Sequence, residues 1–226
     1  MSFLYREKTS SSALVDIVWQ TEDQTDGVYV ASADSCWDMI FIRTFFGKNI
    51  VLLSAPSFKP TNVSYNAGNK NFGIRYQPWT VFTGIAIDSM AGKTIRLPMP
   101  AEDSFELNGR IWKLPTYEGA DAFVEEQERC GLLKSDSIIK DVLESKCDHL
   151  SLRSIQRHFA KTIGMSPRMV KQIIMARSAA DLLLKGKSIV NVAYELGYSD
   201  QAHLTRLLKR FTGYTPHAMR ERNEKI

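Results

Sequence analysis

Apolar residues between positions 188 and 216 recur at helical spacing in two short runs. The first run is Ile189, Val192, Ala193 and Leu196, and the second is Leu204, Leu207, Leu208 and Phe211. Gly197 separates them, and glycine readily adopts the positive φ angle at which many helices end. Either Ser199 or Asp200 can then cap the second helix by accepting a backbone N–H. The pattern predicts a helix, a tight turn at Gly197 and a second helix.

A different pattern fills the first 115 residues. Runs of aromatic and β-branched residues at 37–42 and 50–53, and an alternating stretch at 81–87, are typical of β-strands. Glycine-containing turns and six prolines interrupt these runs. Many short strands with regular turns predict a small barrel or sandwich. Helical spacing returns from Gly119 onward.

Charge divides the chain in the same way. Residues 131–226 carry 17 Lys and Arg against 9 Asp and Glu, a net charge of +8, whereas residues 1–130 carry 12 against 16, a net charge of −4. The last predicted helix leaves a set of hydrogen-bond donors off its apolar face: Gln201, His203, Arg206, Lys209 and Arg210. A basic half with such a helix indicates a nucleic-acid partner. The alternative is a solvated basic surface without a partner.

The residues around this second helix resemble the closing signature of the AraC/XylS family of transcription regulators. They are Gly-Tyr-Ser-Asp-Gln at 197–201, His-Leu-Thr-Arg at 203–206, Lys-Arg at 209–210 and Gly-Tyr-Thr-Pro at 213–216. In that family one helix joins two helix-turn-helix units, so the resemblance implies a first unit upstream. Residues 151–159, followed by Gly164, are similar to the family's first recognition helix, and residues 172–186 to its connecting helix. The resemblance covers about residues 136–220.

The resemblance implies an α+β fold, in which a β-rich, cupin-like barrel precedes an all-α domain of two helix-turn-helix units and a connecting helix. We expect a sensing or dimerisation domain at 1–118, a linker with a helix at 119–136, and a DNA-binding domain at 137–226. The implied function is that of a bacterial, sequence-specific transcription regulator that reads two successive major grooves. The alternative is an adaptor or interaction protein whose barrel binds a ligand or partner and whose helix-turn-helix units are degenerate.

Matching the family residue by residue implies the DNA contacts. They are Arg153, Gln156 and Arg157 in the first unit and Gln201, His203 and Arg206 in the second. Lys209 and Arg210 lie one turn further along, where phosphates are the nearest acceptors. His203 could instead pack against its own helices, and Arg177 on the connecting helix is interpreted as an ion-pair partner rather than a base reader. The implied partners are double-stranded DNA, RNA polymerase if the protein is an activator, a small-molecule effector and a second copy of the chain.

A group of aromatic and charged residues in the β-rich half could line the effector pocket. The group is Trp37, Asp38, Arg75, Tyr76 and Trp79. The alternative for each of them is a place in the apolar core of the barrel.

The sequence lacks the motifs of several classes of enzyme. All four histidines lie in the helical half, so the barrel offers no histidine ligand for a catalytic metal. Gly92-Lys93-Thr94 has Ile87 where a phosphate-binding loop requires glycine, and no Gly-x-Ser-x-Gly sequence is present. We therefore expect no catalytic residues, no metal and no cofactor.

The three cysteines form no disulfide framework, which favours a reducing compartment. No apolar run approaches the length of about 18 residues of a membrane span, and the N-terminus has no signal-peptide pattern. We expect a cytoplasmic protein without a membrane partner.

Overall fold

The computed structural model describes residues 3–147 and 150–223, with side chains described as far as residue 220. Within these residues the chain forms twelve strands and eight helices. The strands are β1 (Phe3–Lys8), β2 (Val15–Asp23), β3 (Gly27–Ala31), β4 (Asp38–Arg43), β5 (Asn49–Ser54), β6 (Thr61–Tyr65), β7 (Lys70–Tyr76), β8 (Thr80–Phe82), β9 (Thr94–Arg96), β10 (Ser104–Leu107), β11 (Arg110–Lys113) and β12 (Leu133–Ser135). The helices are α1 (Ile87–Met90), α2 (Ala120–Arg129), α3 (Ser137–Leu143), α4 (Leu152–Ile163), α5 (Pro167–Leu184), α6 (Ile189–Glu195), α7 (Gln201–Thr212) and α8 (Pro216–Asn223).

The predicted α+β class, with strands first and helices last, is confirmed. Six strands pair antiparallel in the order β1-β2-β7-β4-β5-β9, and three two-stranded sheets lie beside them, β10-β11, β12-β8 and β3-β6. The edges of the large sheet are β1 and β9, and pairing among the described strands does not close it into a barrel. The barrel is therefore only an approximate description of this open arrangement.

The large sheet buries one face because apolar residues alternate along its central strands. Met39 and Phe41 on β4 and Val51 and Leu53 on β5 point into the core, between more exposed neighbours. Helix α2 and strand β12, within the predicted linker, pack onto this same core through side chains such as Phe123.

The alternating stretch at 81–87 is not one strand, and this expectation was wrong. Strand β8 ends at Phe82, Gly84 adopts a φ of 81°, and a helical turn begins at Ile87. A backbone with φ near +80° leaves the extended conformation, so the alternation continues in sequence but not in structure. The predicted turn at Asn108-Gly109 does form, with φ angles of 54° and 72° between β10 and β11.

A second apolar core lies among helices α3 to α8. Two residues of the β-rich half contribute to it, the fully buried Ala33 and the half-buried Trp79. The backbone N–H of Ala33 donates to the carbonyl of Phe211, at a distance of 2.6 Å, near the end of α7. The two halves are therefore packed directly against each other. None of the helices in the described part of the chain is long and apolar enough to cross a bilayer.

Candidate nucleic-acid interface

Helix α6 and the turn after it have the geometry that the spacing predicted. The Ser188 hydroxyl accepts the Asn191 N–H at 3.2 Å and starts the helix. At the other end Gly197, with a φ of 71°, donates to Tyr194, and Tyr198 donates to Ala193. This pair of hydrogen bonds is the Schellman motif, which satisfies the last helical carbonyls and reverses the chain. The prediction of a tight turn at Gly197 is confirmed.

Helix α7 starts from Asp200, which decides between the two predicted caps. Its Oδ1 accepts the His203 N–H at 2.6 Å, and this hydrogen bond lowers the pKa of Asp200, so the cap remains an anion at neutral pH. Leu204, Leu208 and Phe211 are fully buried and attach the helix to the second core. The side of α7 that carries the predicted DNA contacts is thereby turned to the solvent.

The side chains on α7 that are predicted to contact DNA differ in exposure and in their contacts with other residues. Gln201, Arg206 and Lys209 are exposed, and their side chains form no hydrogen bond or ion pair with any described residue. Arg210 is exposed but lies over the ring of Phe211, 4.9 Å from its centroid. His203 is half-buried, since its ring packs edge-on against Tyr198 and its Nδ1 lies 3.2 Å from the Ser199 hydroxyl.

Helix α4 presents a second surface of the same kind. Ser151 caps it by accepting the Ser154 N–H at 3.2 Å, and Ile155, Phe159 and Ile163 are buried along one side. The predicted contacts lie on the opposite side: Arg153, Gln156 and Arg157. All three are exposed, and none of their side chains is engaged with another described residue.

One contact that holds α4 in place was missed by the sequence analysis. The His158 Nε2 lies 2.8 and 2.9 Å from the two carboxylate oxygens of Asp136. The same carboxylate caps α3 by accepting the Ile139 N–H at 3.0 Å. Asp136 therefore connects the two helices of the first unit. Its position just before an apolar helical run could have indicated the cap, but not the histidine.

Helix α5 joins the two units. Ser166 caps it, Pro167 occupies its first turn, and its 18 residues span about 27 Å at a rise of about 1.5 Å per residue. Its buried side includes Val170, Ile173 and Leu183 and packs against α4, α6 and α7. A single rigid element thus supports both exposed surfaces.

Within the described residues, the five predicted effector residues lie in three places: the first core, a cluster of ion pairs and a cleft. Trp37 and Tyr76 are buried in the first core, where both rings pack against Phe82. The Tyr76 hydroxyl donates to Gln127 at 2.8 Å, and burial raises the pKa of Tyr76 far above its usual range. Among the five, Trp79 lines a cleft of about 370 Å³ between the β-rich half and the helices.

Asp38 and Arg75 belong to a cluster of ion pairs beside this cleft. The Arg75 Nε lies 2.8 Å from Asp34 Oδ2 and 3.3 Å from Asp38 Oδ1, in contacts that are close but not aligned as hydrogen bonds. Burial raises the pKa of Asp38 to about 6, even though Arg75 opposes the shift. The other oxygen of Asp34 accepts from Arg177 Nη1 at 3.0 Å. The interpretation of Arg177 as an ion-pair partner is confirmed, and Asp34, absent from the sequence predictions, is the residue that connects the two arginines.

Comparison with known proteins identifies the class of the helical half. Residues 146–222 match the model of a family described as a helix-turn-helix domain, which is a DNA-binding class. The AraC-type resemblance predicted for about residues 136–220 is thereby confirmed over the matched residues. No curated protein matches the chain.

Solved structures of ToxT from Vibrio cholerae are similar over the whole length at low identity. The structure at 1.65 Å has a TM-score of 0.47 and 10% identity and covers 100% of this chain and 99% of its own. ToxT from strain O395 has a TM-score of 0.42 and 12% identity, with coverage of 99% and 97%. ToxT bound to (E)-4-(8-methylnaphthalen-1-yl)but-3-enoic acid has a TM-score of 0.38 and 11% identity, with coverage of 99% of each chain.

Proposed function

We propose that this protein is a transcription regulator that places α4 and α7 in two successive major grooves of double-stranded DNA. The observation that carries the proposal is the pair of exposed surfaces on these helices, most of whose donors form no hydrogen bond or ion pair with a described residue. These donors are Arg153, Gln156 and Arg157 on α4 and Gln201, Arg206 and Lys209 on α7. Both helices pack on α5, and successive major grooves on one face of a duplex are about 34 Å apart. A support about 27 Å long suits that spacing.

The DNA-contacting side chains fall into two groups according to their position on the helices. Arg153, Gln156 and Arg157 on α4 and Gln201, His203 and Arg206 on α7 contact base edges or the nearby backbone. Arginine and glutamine suit this task because their paired groups match guanine and adenine edges in the major groove. His203 contributes through Nε2, since Nδ1 is occupied by Ser199. Lys209 and Arg210 lie toward the end of α7 and bind phosphates.

We assign effector sensing or dimerisation to residues 1–118, a connecting role to 119–136 and DNA binding to 137–226. The β-rich half lies against the ends of both reading helices, through Ala33 at Phe211 and through Ala91 beside Gly164. A change in that half can therefore reach α4 and α7 together. Contact with RNA polymerase is part of the proposal if the protein activates transcription.

The experiment is a binding titration of the full chain with a labelled duplex of about 30 base pairs, which is long enough for two sites one helical turn apart. We expect binding whose log K falls linearly with log salt concentration, because neutralised phosphates release counterions. Arg157→Ala combined with Arg206→Ala should weaken binding strongly, whereas Arg96→Ala, an exposed arginine on β9, should not. Absence of binding at low salt would favour the adaptor alternative, and equal losses in both variants would mean that the proposed surfaces are not the interface.

A further inference from the structure

The cleft between the β-rich half and the helices has the size of a small-molecule site. Its volume of about 370 Å³ lies within the range of roughly 300–1,000 Å³ that is usual for ligand pockets. Asp16 and Trp79 line it from the β-rich half, and Glu144, Arg177 and Asp181 line it from α5 and the end of α3. A ligand here would contact both halves of the protein.

The charges around the cleft favour a cation. Its arginine, Arg177, is already bound to Asp34 at 3.0 Å, and Glu144 is bound to Lys146 at 2.6 Å. Asp181 forms no ion pair in the described part of the chain, and Asp16 approaches only Arg177, at 3.8 Å. Asp16 and Asp181 are therefore only partly compensated. For Asp181 the compensation comes from Arg177 and Lys185, which lower its pKa without forming an ion pair with it.

The cluster of Asp34, Asp38, Arg75 and Arg177 behind the wall does not offset this excess. Asp34 and Asp38 face two guanidiniums, those of Arg75 and Arg177, so the charges within the cluster balance. Burial raises the pKa of Asp181, as it does that of Asp38, because neither anion is fully stabilised by its surroundings. An anionic ligand would meet repulsion here, whereas a cation would restore the balance.

A buried hydroxyl gives an independent indication of a ligand. Ser35 is only 1% exposed and lines the cleft, and its Oγ has no hydrogen-bond partner among the described residues. A buried polar atom without a partner costs about 1–3 kcal/mol, so native proteins rarely leave one unmatched. A ligand N–H group would supply the missing partner.

The remaining lining is apolar or aromatic. Leu143, Ile174 and Pro78 line the cleft beside the Trp79 indole. The Lys140 ammonium lies 5.7 Å from the centroid of that ring, in keeping with the attraction of aromatic faces for cations. The cleft therefore combines carboxylates with apolar and aromatic surface.

We propose that this cleft binds a small organic amine, protonated at neutral pH and carrying an apolar group, and that this amine is the effector. The ammonium group lies between Asp16 and Asp181, donates to the Ser35 hydroxyl, and places its apolar group against Trp79. The role as effector rests on the proposed function, since a ligand that contacts both halves shifts whichever arrangement it binds better. The existence of the site does not rest on it.

The test is calorimetric titration of the full chain with phenethylamine, with 3-phenylpropionate as the anion of matched shape. We expect the amine to bind and the anion not to bind. Asp181→Asn should weaken amine binding by about tenfold, the contribution of one hydrogen bond to a charged group. Glu125→Gln removes an exposed carboxylate on α2 away from the cleft and should leave the affinity unchanged.

Three results would overturn the proposal: no heat with the amine at millimolar concentration, tighter binding of the anion, or unchanged affinity in Asp181→Asn. If circular dichroism shows that Asp181→Asn is unfolded, amine affinity is measured on Asp16→Asn instead, and an unchanged affinity in that variant overturns the proposal. DNA binding is measured on the same preparation. Retained DNA binding without amine binding contradicts the amine site alone, and amine binding without DNA binding contradicts the proposed function alone.

Discussion

Replacing Gly197 isolates the energy of one backbone conformation in the second helix-turn-helix unit. Its φ of 71° lies in the left-handed region, and a Cβ built on it would meet no atom within 4 Å. Gly197→Ala therefore introduces no clash, and its cost comes from the backbone alone. An L-residue in this region costs about 1–2 kcal/mol. The smaller backbone freedom of alanine in the unfolded chain returns about 0.4–1 kcal/mol.

The net expectation for Gly197→Ala is a loss of about 1 kcal/mol, and for Gly197→Val about 1–3 kcal/mol, because a β-branched side chain tolerates positive φ least. In a chain of this size 1 kcal/mol lowers Tm by about 2–4 °C. Gly197→Asn is the matched control, since asparagine adopts positive φ more readily and should lose less. The assay is thermal unfolding followed by circular dichroism at 222 nm. Unchanged Tm values for both the Ala and the Val variants would mean that the Schellman turn at Gly197 does not contribute to stability.

The other predictions concern binding, capping and pH. Arg206→Ala should relax base preference at one or two operator positions, by about 1–3 kcal/mol each, in a selection from a randomised operator library. Lys209→Ala should instead weaken binding to all DNA sequences equally and reduce the slope of log K against log salt concentration by about one unit. The reverse pattern would mean that Lys209 reads bases and Arg206 contacts phosphate. Asp200→Ala should lower the midpoint of urea unfolding, and Asp200→Asn should lower it clearly less, because asparagine keeps a capping oxygen. Since the pKa of Asp38 is raised to about 6 in the fold, the native state binds the proton more tightly than the unfolded chain, and stability falls as the pH rises from about 4 to 6. Asp38→Asn should flatten this part of the curve, and an unchanged slope would refute the assignment.

Local signals determined much of the helical half. The spacing of Leu204, Leu208 and Phe211, the glycine at 197 and the caps at 188 and 200 act within a few residues of each other, so the sequence alone indicated where α6 and α7 begin and end. The closing signature likewise identified the class of domain. Backbone hydrogen bonds inside a helix depend on neighbouring residues, which is why these predictions could be made.

Local pattern was a weaker guide in the β-rich half. Strand β7 pairs with β2 and β4, which lie far from it in sequence, and the sheet is open because its edge strands β1 and β9 do not pair with each other. The alternation at 81–87 did not give one strand because β8 ends at Phe82 and Gly84 adopts a positive φ, so turn conformation overrides strand propensity there. Trp37 and Tyr76 are aromatic residues of the kind that often line pockets. The sheet topology instead buries both rings in the core against Phe82.

Only the tertiary structure brought the charged cluster and the cleft together. Asp34 meets Arg177 across 143 positions of sequence, and Asp16, Ser35 and Asp181 line one cleft although three different segments carry them. Sequence spacing carries no information about such distant contacts, because they form only when the β-rich half packs on α5. The closing signature and the local spacing thus indicated a helix-turn-helix class, whereas the packing of the two halves decided which charged residues meet and where the cleft lies.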